Sequence, residues 1–150
     1  VLASDVRQAE RIAQIPPGVR RVVERLWPGP LTIVVPKRPI LPGIVTYGVG
    51  TVGVRVPNHQ VALQLIKLSG GLLVGTSANK TGERPPRTVQ EAIQQLGGEV
   101  DAYLDAGPTP GGVPSTVVDF TRHPPMILRE GPIRLKEILS ALGQHPIETP

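Results

Sequence analysis

The sequence predicts an α/β chain, with α+β character, built around a mixed sheet. Three observations predict it. Apolar runs of period two, Leu31–Val35 and Thr51–Val56, are interspersed with segments of helical period such as Pro17–Leu26. The connections between them are too irregular for a simple doubly wound sheet. Gly (17 residues) and Pro (18 residues) fall between the apolar segments, as in Trp27-Pro-Gly-Pro30, Pro39-Ile-Leu-Pro-Gly43 and Gly107-Pro-Thr-Pro-Gly-Gly-Val-Pro114. That placement marks turns and long loops rather than disorder. There is no internal repeat.

Taken in order, Ser4 is a candidate N-cap for a helix to about Gln14, with Val6, Ala9, Ile12 and Ala13 on one face. Pro17–Leu26 is a second helix, Val19, Val22, Val23 and Leu26 inward and Arg20, Arg21 and Arg25 outward. Leu31–Val35 and Thr51–Val56 are strands. Asn58 caps a helix to about Leu68 with Ala62, Leu65 and Ile66 as its buried stripe, and Leu72–Gly75 is a short buried strand. Thr88-Val-Gln-Glu91 is a capping box that opens a helix stopped by Gly97. Ala102–Leu104, Thr116–Phe120 and Met126–Arg129 are strands. Pro132 opens a last helix with Ile133, Ile138, Leu139 and Leu142 inward, ending at Gly143.

Composition excludes several functions. At 150 residues the chain has the size of a single domain, 1–150, able to bury most of its apolar surface. With no cysteine there is no disulfide, thiolate metal site or thiol nucleophile. Three scattered histidines, His59, His123 and His145, do not make a zinc site, and no metal site is expected. No apolar stretch approaches the roughly 18–20 residues of a membrane span and no secretory leader precedes the fold, so cytoplasmic residence and no membrane partner are expected. The net charge of +4 permits phosphate contact without requiring nucleic acid.

Four strand ends carry polar groups that packing alone does not need. Thr51-Val-Gly-Val-Arg-Val-Pro-Asn-His59 and Gly75-Thr-Ser-Ala-Asn79 end in short polar clusters. Ser115-Thr-Val-Val-Asp-Phe120 opens on hydroxyls, and Pro125-Met-Ile-Leu-Arg-Glu-Gly131 closes on an arginine. Thr, Arg, Ser and Asn in these places suit an anionic, hydroxyl-rich small molecule. Each has a plainer alternative. Alternation allows Arg55 and Arg129 to face solvent, Ser77 and Asn79 to make local turn bonds, and Ser115 simply to start a strand. Arg20, Arg21 and Arg25 read as a solvated helix face, and His59 as structural. No Walker loop, Gly-x-Gly-x-x-Gly or Ser/His/Asp order is present.

In combination, Trp27-Pro-Gly-Pro-Leu-Thr-Ile-Val-Val-Pro36, Val54-Arg-Val-Pro-Asn-His59, Thr76-Ser-Ala-Asn79 with Gly82, Pro114-Ser-Thr-Val-Val-Asp119 and Ile127-Leu-Arg-Glu-Gly131 resemble the signatures of the YrdC-like family, the threonylcarbamoyl-AMP synthases. The resemblance implies a YrdC/RibB-like twisted mixed β-sheet flanked by helices, with a concave ligand cleft. It implies formation of L-threonylcarbamoyladenylate and pyrophosphate from L-threonine, bicarbonate and ATP, with Mg²⁺ on the phosphates. The product would pass to tRNA threonylcarbamoyl-transfer proteins that modify ANN-decoding tRNAs. By the same resemblance Thr51, Ser77, Asn79 and Arg129 are ATP-binding, and Arg55, Gly75 and Ser115 are threonine-binding. No side-chain nucleophile is expected, because the amine of threonine attacks carbon dioxide or bicarbonate and the carbamate then attacks the α-phosphate. These strand ends are expected to converge on one concave surface.

Family members also begin with a strand, a helix, a Pro-Thr-(Asp/Glu)-Thr-x-x-Gly-Leu segment and a Lys-x-Arg-x-x-x-Pro-Leu segment. Val1 falls in what resembles the helix just after these, so an N-terminal part of the domain is expected to be missing. Lys37-Arg-Pro-Ile-Leu-Pro42 mimics the second segment but follows Trp27-Pro-Gly-Pro30, and reads as a later loop. Two alternatives stay open. One is a carbamoyl-adenylate-forming domain of hydrogenase maturation, usually found with Cys-rich zinc modules. The other is a non-catalytic module that binds double-stranded RNA or tRNA, marked by salt-dependent affinity without ATP turnover.

Overall fold

In chain order the elements are β1 (Leu2–Ala3), α1 (Val6–Ile12), α2 (Pro17–Leu26), β2 (Leu31–Pro36), β3 (Thr51–Val54), α3 (Gln60–Leu68), β4 (Leu72–Leu73), α4 (Val89–Leu96), β5 (Thr116–Asp119), β6 (Met126–Arg129) and α5 (Leu135–Leu142). They come from a computed structural model that describes residues 1–109 and 113–143. Residues 110–112 of the Gly/Pro loop and His145 lie outside the described residues. The chain divides into two compact units, one of Val1–Val74 with the segment from Pro114 onward, the other Gly75–Val113.

The first unit is organised by a four-stranded mixed sheet of order β3-β2-β5-β6. β2 pairs antiparallel with β3, Ile33 opposite Val54 and Pro36 opposite Thr51. It pairs parallel with β5, Leu31 opposite Thr116 and Val34 opposite Asp119. β5 and β6 are antiparallel, with an irregularity between Val117 and Val118. β1 pairs with β4 in a separate two-stranded sheet and bridges to Arg55.

The period of two in β2 decides which face is buried. Leu31, Ile33 and Val35 are fully buried, as are Val54 and Val118 on the neighbouring strands, whereas Thr32, Val34 and Pro36 are half-buried on the other face. The buried residues join Ala9, Ile12 and Ala13 of the α1 region, Val19, Val22 and Val23 of α2 and Ile138 and Ala141 of α5 in one core. α2 runs over Pro17–Leu26 with proline at its start, where a missing N–H costs no helical bond. Its outer face is solvated, Arg20 pairing with Glu10 and with Glu24 at 2.8 Å.

Several boundaries and faces differ from the sequence reading. Asp5, not Ser4, caps α1, its carboxylate accepting from Gln8 N at 2.9 Å. His59, not Asn58, caps α3, Nδ1 accepting from Ala62 N at 3.3 Å. Leu65 lies outside the buried stripe of α3; Ile66 is buried and Leu63 packs against the core. α5 starts at Leu135 rather than Pro132, because Ile133 is committed elsewhere: Thr116 Oγ1 accepts from Ile133 N at 3.0 Å and donates to Ile133 O at 2.9 Å. Gly143 closes that helix in the left-handed region, φ 78°. Ala102–Leu104 is not a strand; Leu104 is exposed and the Tyr103 hydroxyl donates to Gly97 O at 2.6 Å.

In the second unit α4 begins as the capping motif predicts, Thr88 Oγ1 accepting from Glu91 N at 3.2 Å, and Gly97 ends it. The Glu91 carboxylate reaches one residue further back than a standard capping box, to Arg87 N at 2.6 Å. Among the described residues no helix is long and apolar enough to cross a membrane.

Candidate functional site

Arg55 stands one residue beyond β3, on the half-buried face with Thr51 and Gly53, while Val52, Val54 and Val56 face the core. It is not mid-strand as the sequence suggested. The β3 ladder stops at Val54, and Arg55 instead gives its N–H to Val1 O (3.1 Å) and takes one from Ala3 N (2.9 Å). Its side chain is aimed by a turn, Nε donating to Gly29 O at 2.8 Å. That turn admits only glycine: a Cβ on Gly29 would lie 2.2 Å from Leu26 O. Gly29 N in turn donates to Val56 O at 2.9 Å, so the Trp27–Pro30 turn is fastened to the segment that carries the arginine.

Across the sheet, Arg129 at the end of β6 wraps its guanidinium around Ser115. Nε and Nη2 donate to Ser115 O at 3.0 and 2.9 Å, and Nη2 to Ser115 Oγ at 3.0 Å. The buried Ser115 hydroxyl also shares a 2.8 Å hydrogen bond with Thr32 Oγ1 of β2. Behind it Gly131 presses backbone to backbone, since a Cβ there would be 2.3 Å from Thr116 N and 2.7 Å from Pro114 O. Ser115 is thus fixed from three sides.

The electrostatics of this face are one-sided. Burial lowers the Arg55 pKa below its ordinary value, and the nearby charge of Arg129 lowers it further. Among the described residues neither arginine pairs with a carboxylate; the ion pairs present are those of Arg20, Arg122 and Arg134. Each uses Nε on a backbone carbonyl, which sets direction without neutralising charge. Two like charges held together in this way favour an anion between or beside them.

Of the residues singled out from sequence, Arg55, Ser115 and Arg129 come together at one end of the sheet. Thr51 shares their face but lies four residues along β3, about 13 Å at 3.3 Å per residue, opposite Pro36. Gly75, Ser77 and Asn79 belong to the second unit. Gly75 and Ser77 are exposed there, while Asn79 Nδ2 donates to Lys80 O (2.8 Å) and Glu83 O (3.0 Å), holding its own loop. Lys37 and Arg38 are spent on backbone: Lys37 Nζ donates to Leu41 O at 3.0 Å and Arg38 Nε to Glu10 O at 2.7 Å. Thr32 and Gly29 escaped the residue-by-residue reading. The signal for both was present, since the Pro28-Gly-Pro-Leu-Thr32 segment sets a glycine between two prolines and, three residues after it, a hydroxyl on the non-core phase of β2.

Comparison with known proteins bears on this geometry. The Sua5/YciO/YrdC family model, described as "Telomere recombination", matches residues 1–131. The chain belongs to this family. A threonylcarbamoyl-AMP synthase of Pyrococcus abyssi is 40% identical over 136 residues, covering 89% of this chain and 40% of that protein. A threonylcarbamoyl-AMP synthase of Bacillus subtilis is 35% identical over 142 residues, covering 93% of this chain and 41% of that protein. The chain therefore spans about two-fifths of the length of these relatives. The crystal structure of P. abyssi Sua5 complexed with L-threonine superposes with a TM-score of 0.89 at 38% identity, covering 96% of this chain and 43% of that one. The twisted mixed sheet flanked by helices is the fold of that family.

Proposed function

We propose that this chain forms L-threonylcarbamoyladenylate from L-threonine, bicarbonate and ATP, with release of pyrophosphate. The observation that carries this reading is the pair of guanidinium groups at one end of the sheet, without carboxylate partners among the described residues and with the Ser115 hydroxyl bonded to one of them. Such a site calls for an anion, and the substrates bring a carboxylate and phosphates. The names of the relatives and the threonine bound to P. abyssi Sua5 support the same choice.

In this reading the Arg55 fork grips the threonine carboxylate, Ser115 hydrogen-bonds the same amino acid near the point of carbamate formation, and Gly75 allows close backbone approach. Arg129, Thr51, Ser77 and Asn79 serve ATP; the length of β3 between Arg55 and Thr51 suits a ligand as long as a nucleotide. The amine attacks carbon dioxide, which bicarbonate yields by taking up a proton and losing water, and the amine then loses a proton to give a carbamate. A carbamate oxygen then attacks the α-phosphorus; the new P–O bond forms as the bond to the β-phosphate bridge breaks, and pyrophosphate leaves. No side-chain nucleophile takes part. The protein contributes proximity and charge stabilisation. No group of three or more His, Cys, Asp or Glu that could hold a metal occurs among the described residues, so Mg²⁺ is assigned to the ATP phosphates, entering as part of that substrate.

We assign the product to tRNA threonylcarbamoyl-transfer proteins and the chain to the cytoplasm. Residues 1–150 contain neither of the family's two early motif segments, so slow turnover is proposed for this chain by itself. Calorimetric titration with L-threonine tests the binding half. Pyrophosphate release from ATP that requires both threonine and bicarbonate, measured on this chain and on one extended upstream, tests the catalytic half. Absence of threonine binding, with no threonine-dependent release from either chain, refutes the function.

A further inference from the structure

The Ser115 hydroxyl has one hydrogen and two lone pairs to account for. Arg129 Nη2, 3.0 Å away, occupies one lone pair, because a guanidinium only donates. The other close partner is Thr32 Oγ1 at 2.8 Å, and between two hydroxyls either can donate. If Ser115 donates, its hydrogen is consumed inside the protein and it offers an incoming anion only a lone pair. If Thr32 donates, both Ser115 lone pairs are filled and its hydrogen must point away from both partners. A carboxylate has only acceptors to present, so it selects the second arrangement.

The geometry of Thr32 supports this assignment. It sits on the half-buried face of β2, level with the entry to β5, since Leu31 pairs with Thr116 and Thr32 with Val117. Its methyl group is directed toward β3: a Cβ built on Gly53 would lie 3.6 Å from it. The hydroxyl is directed the other way, toward Ser115. A β-branched side chain is stiff about χ1, so methyl contact on one side and the hydroxyl bond on the other hold one rotamer. Thr32 Oγ1 has no other hydrogen-bond partner among the described residues.

We infer that Thr32 is a positioning residue: by donating to Ser115 it turns the Ser115 hydroxyl into an obligatory hydrogen-bond donor toward the bound anion. This rests on the reading of the paired-arginine site as the threonine site. Thr32 touches no reacting atom in this scheme and acts through Ser115.

The test is a double-mutant cycle read by titration calorimetry with L-threonine. Thr32→Val keeps shape and β-branching and removes only the hydroxyl; Thr32→Ser restores it; Ser115→Ala removes the group acted upon. Thr32→Val should weaken threonine about three- to tenfold, the worth of one neutral hydrogen bond, while Thr32→Ser stays within about twofold of wild type. In the Ser115→Ala background Thr32→Val should have no further effect, the mark of a residue acting through another. Thermal melts of all variants check that the fold is kept. Wild-type affinity retained by Thr32→Val overturns the inference while leaving the threonine site intact. The same loss with and without Ser115 overturns it too, by making Thr32 independent. A wild-type chain that does not bind threonine removes the functional reading itself, and this role of Thr32 with it.

Discussion

Replacing Gly29 by alanine isolates the turn that aims Arg55. The new Cβ would start 2.2 Å from Leu26 O, where real Cβ contacts essentially never fall below 3.0 Å, so the two must part by about 0.8 Å or more. Both are backbone-borne, so no flexible side chain can absorb the shift. Taken along the Gly29–Arg55 bond, that displacement carries 2.8 Å past the roughly 3.5 Å at which a hydrogen bond ceases to count. The bond from Gly29 N to Val56 O is at risk in the same movement. Overpacking together with loss of a charge-assisted bond should cost about 2–3 kcal/mol, lowering Tm by about 6–10 °C. Threonine affinity should fall about tenfold or more as the guanidinium loses its direction. Gly53→Ala is the control, because its Cβ would make an ordinary 3.6 Å contact with the Thr32 methyl. It should shift Tm by no more than about 2 °C. The assays are thermal melting and calorimetry with L-threonine. A Gly29→Ala variant that melts and binds like wild type would show that the turn relaxes without moving its carbonyl, and the account of how Arg55 is aimed would be wrong.

Arg55→Ala should weaken L-threonine by about 2 kcal/mol or more, roughly 30-fold, and ATP much less; equal losses in parallel titrations contradict the division of ligands between Arg55 and Arg129. Asp119 should matter to stability in a pH-dependent way. Burial raises its pKa, but hydrogen bonds from Thr121 N and Oγ1 and the charge of Arg122 outweigh it and leave the native value below the ordinary one. A carboxylate depressed in the native state stabilises fully above its unfolded pKa of about 4 and loses that contribution as the pH falls through the native value. The gap in unfolding free energy between wild type and Asp119→Asn should therefore be constant from pH 7 to 5 and narrow below about pH 4; a gap that widens on acidification reverses the sign. Arg38→Ala should lower stability by about 1 kcal/mol, since its guanidinium binds the carbonyls at the end of α1, and leave threonine binding unchanged. Weakened binding in this variant would place the Lys37-Arg38 pair in the site after all.

Much of this was readable from residues, for identifiable reasons. The period of two in Leu31–Val35 and the valines of Thr51–Val56 state which face is buried, and the proline-led Pro17–Leu26 helix fixes both its ends. What escaped was decided by partners remote in sequence. Whether Thr116 would engage Ile133, and so delay α5, depends on a contact between residues 17 positions apart. The cap of α3 falls to His59 rather than its polar neighbour: its backbone is extended, φ −154°, and its Nδ1 reaches Ala62 N. Ala102–Leu104 has the composition of a strand but no partner strand among the described residues. At the site, the arginines and Ser115 were visible as chemistry out of place. Gly29 and Thr32 were not, because their importance lies in a collision avoided and a hydrogen directed.

The alternation along β2 also bears on how this scaffold could change its ligand. Residues 31, 33 and 35 hold the fold, and residues 32, 34 and 36 face away from the core. Because the two sets interleave along one strand, a single-residue slip would exchange every duty, and a substitution on one phase leaves the other undisturbed. Recognition can drift at Thr32, Val34, Thr51 and Gly53 while the hydrophobic set beneath keeps the same rigid floor. Combinatorial libraries drawn on those four positions should yield mostly folded proteins with altered preferences, whereas libraries at Leu31, Ile33, Val52 and Val54 should yield mostly unfolded ones. A sheet organised in this way offers new specificities a route that does not first pass through instability.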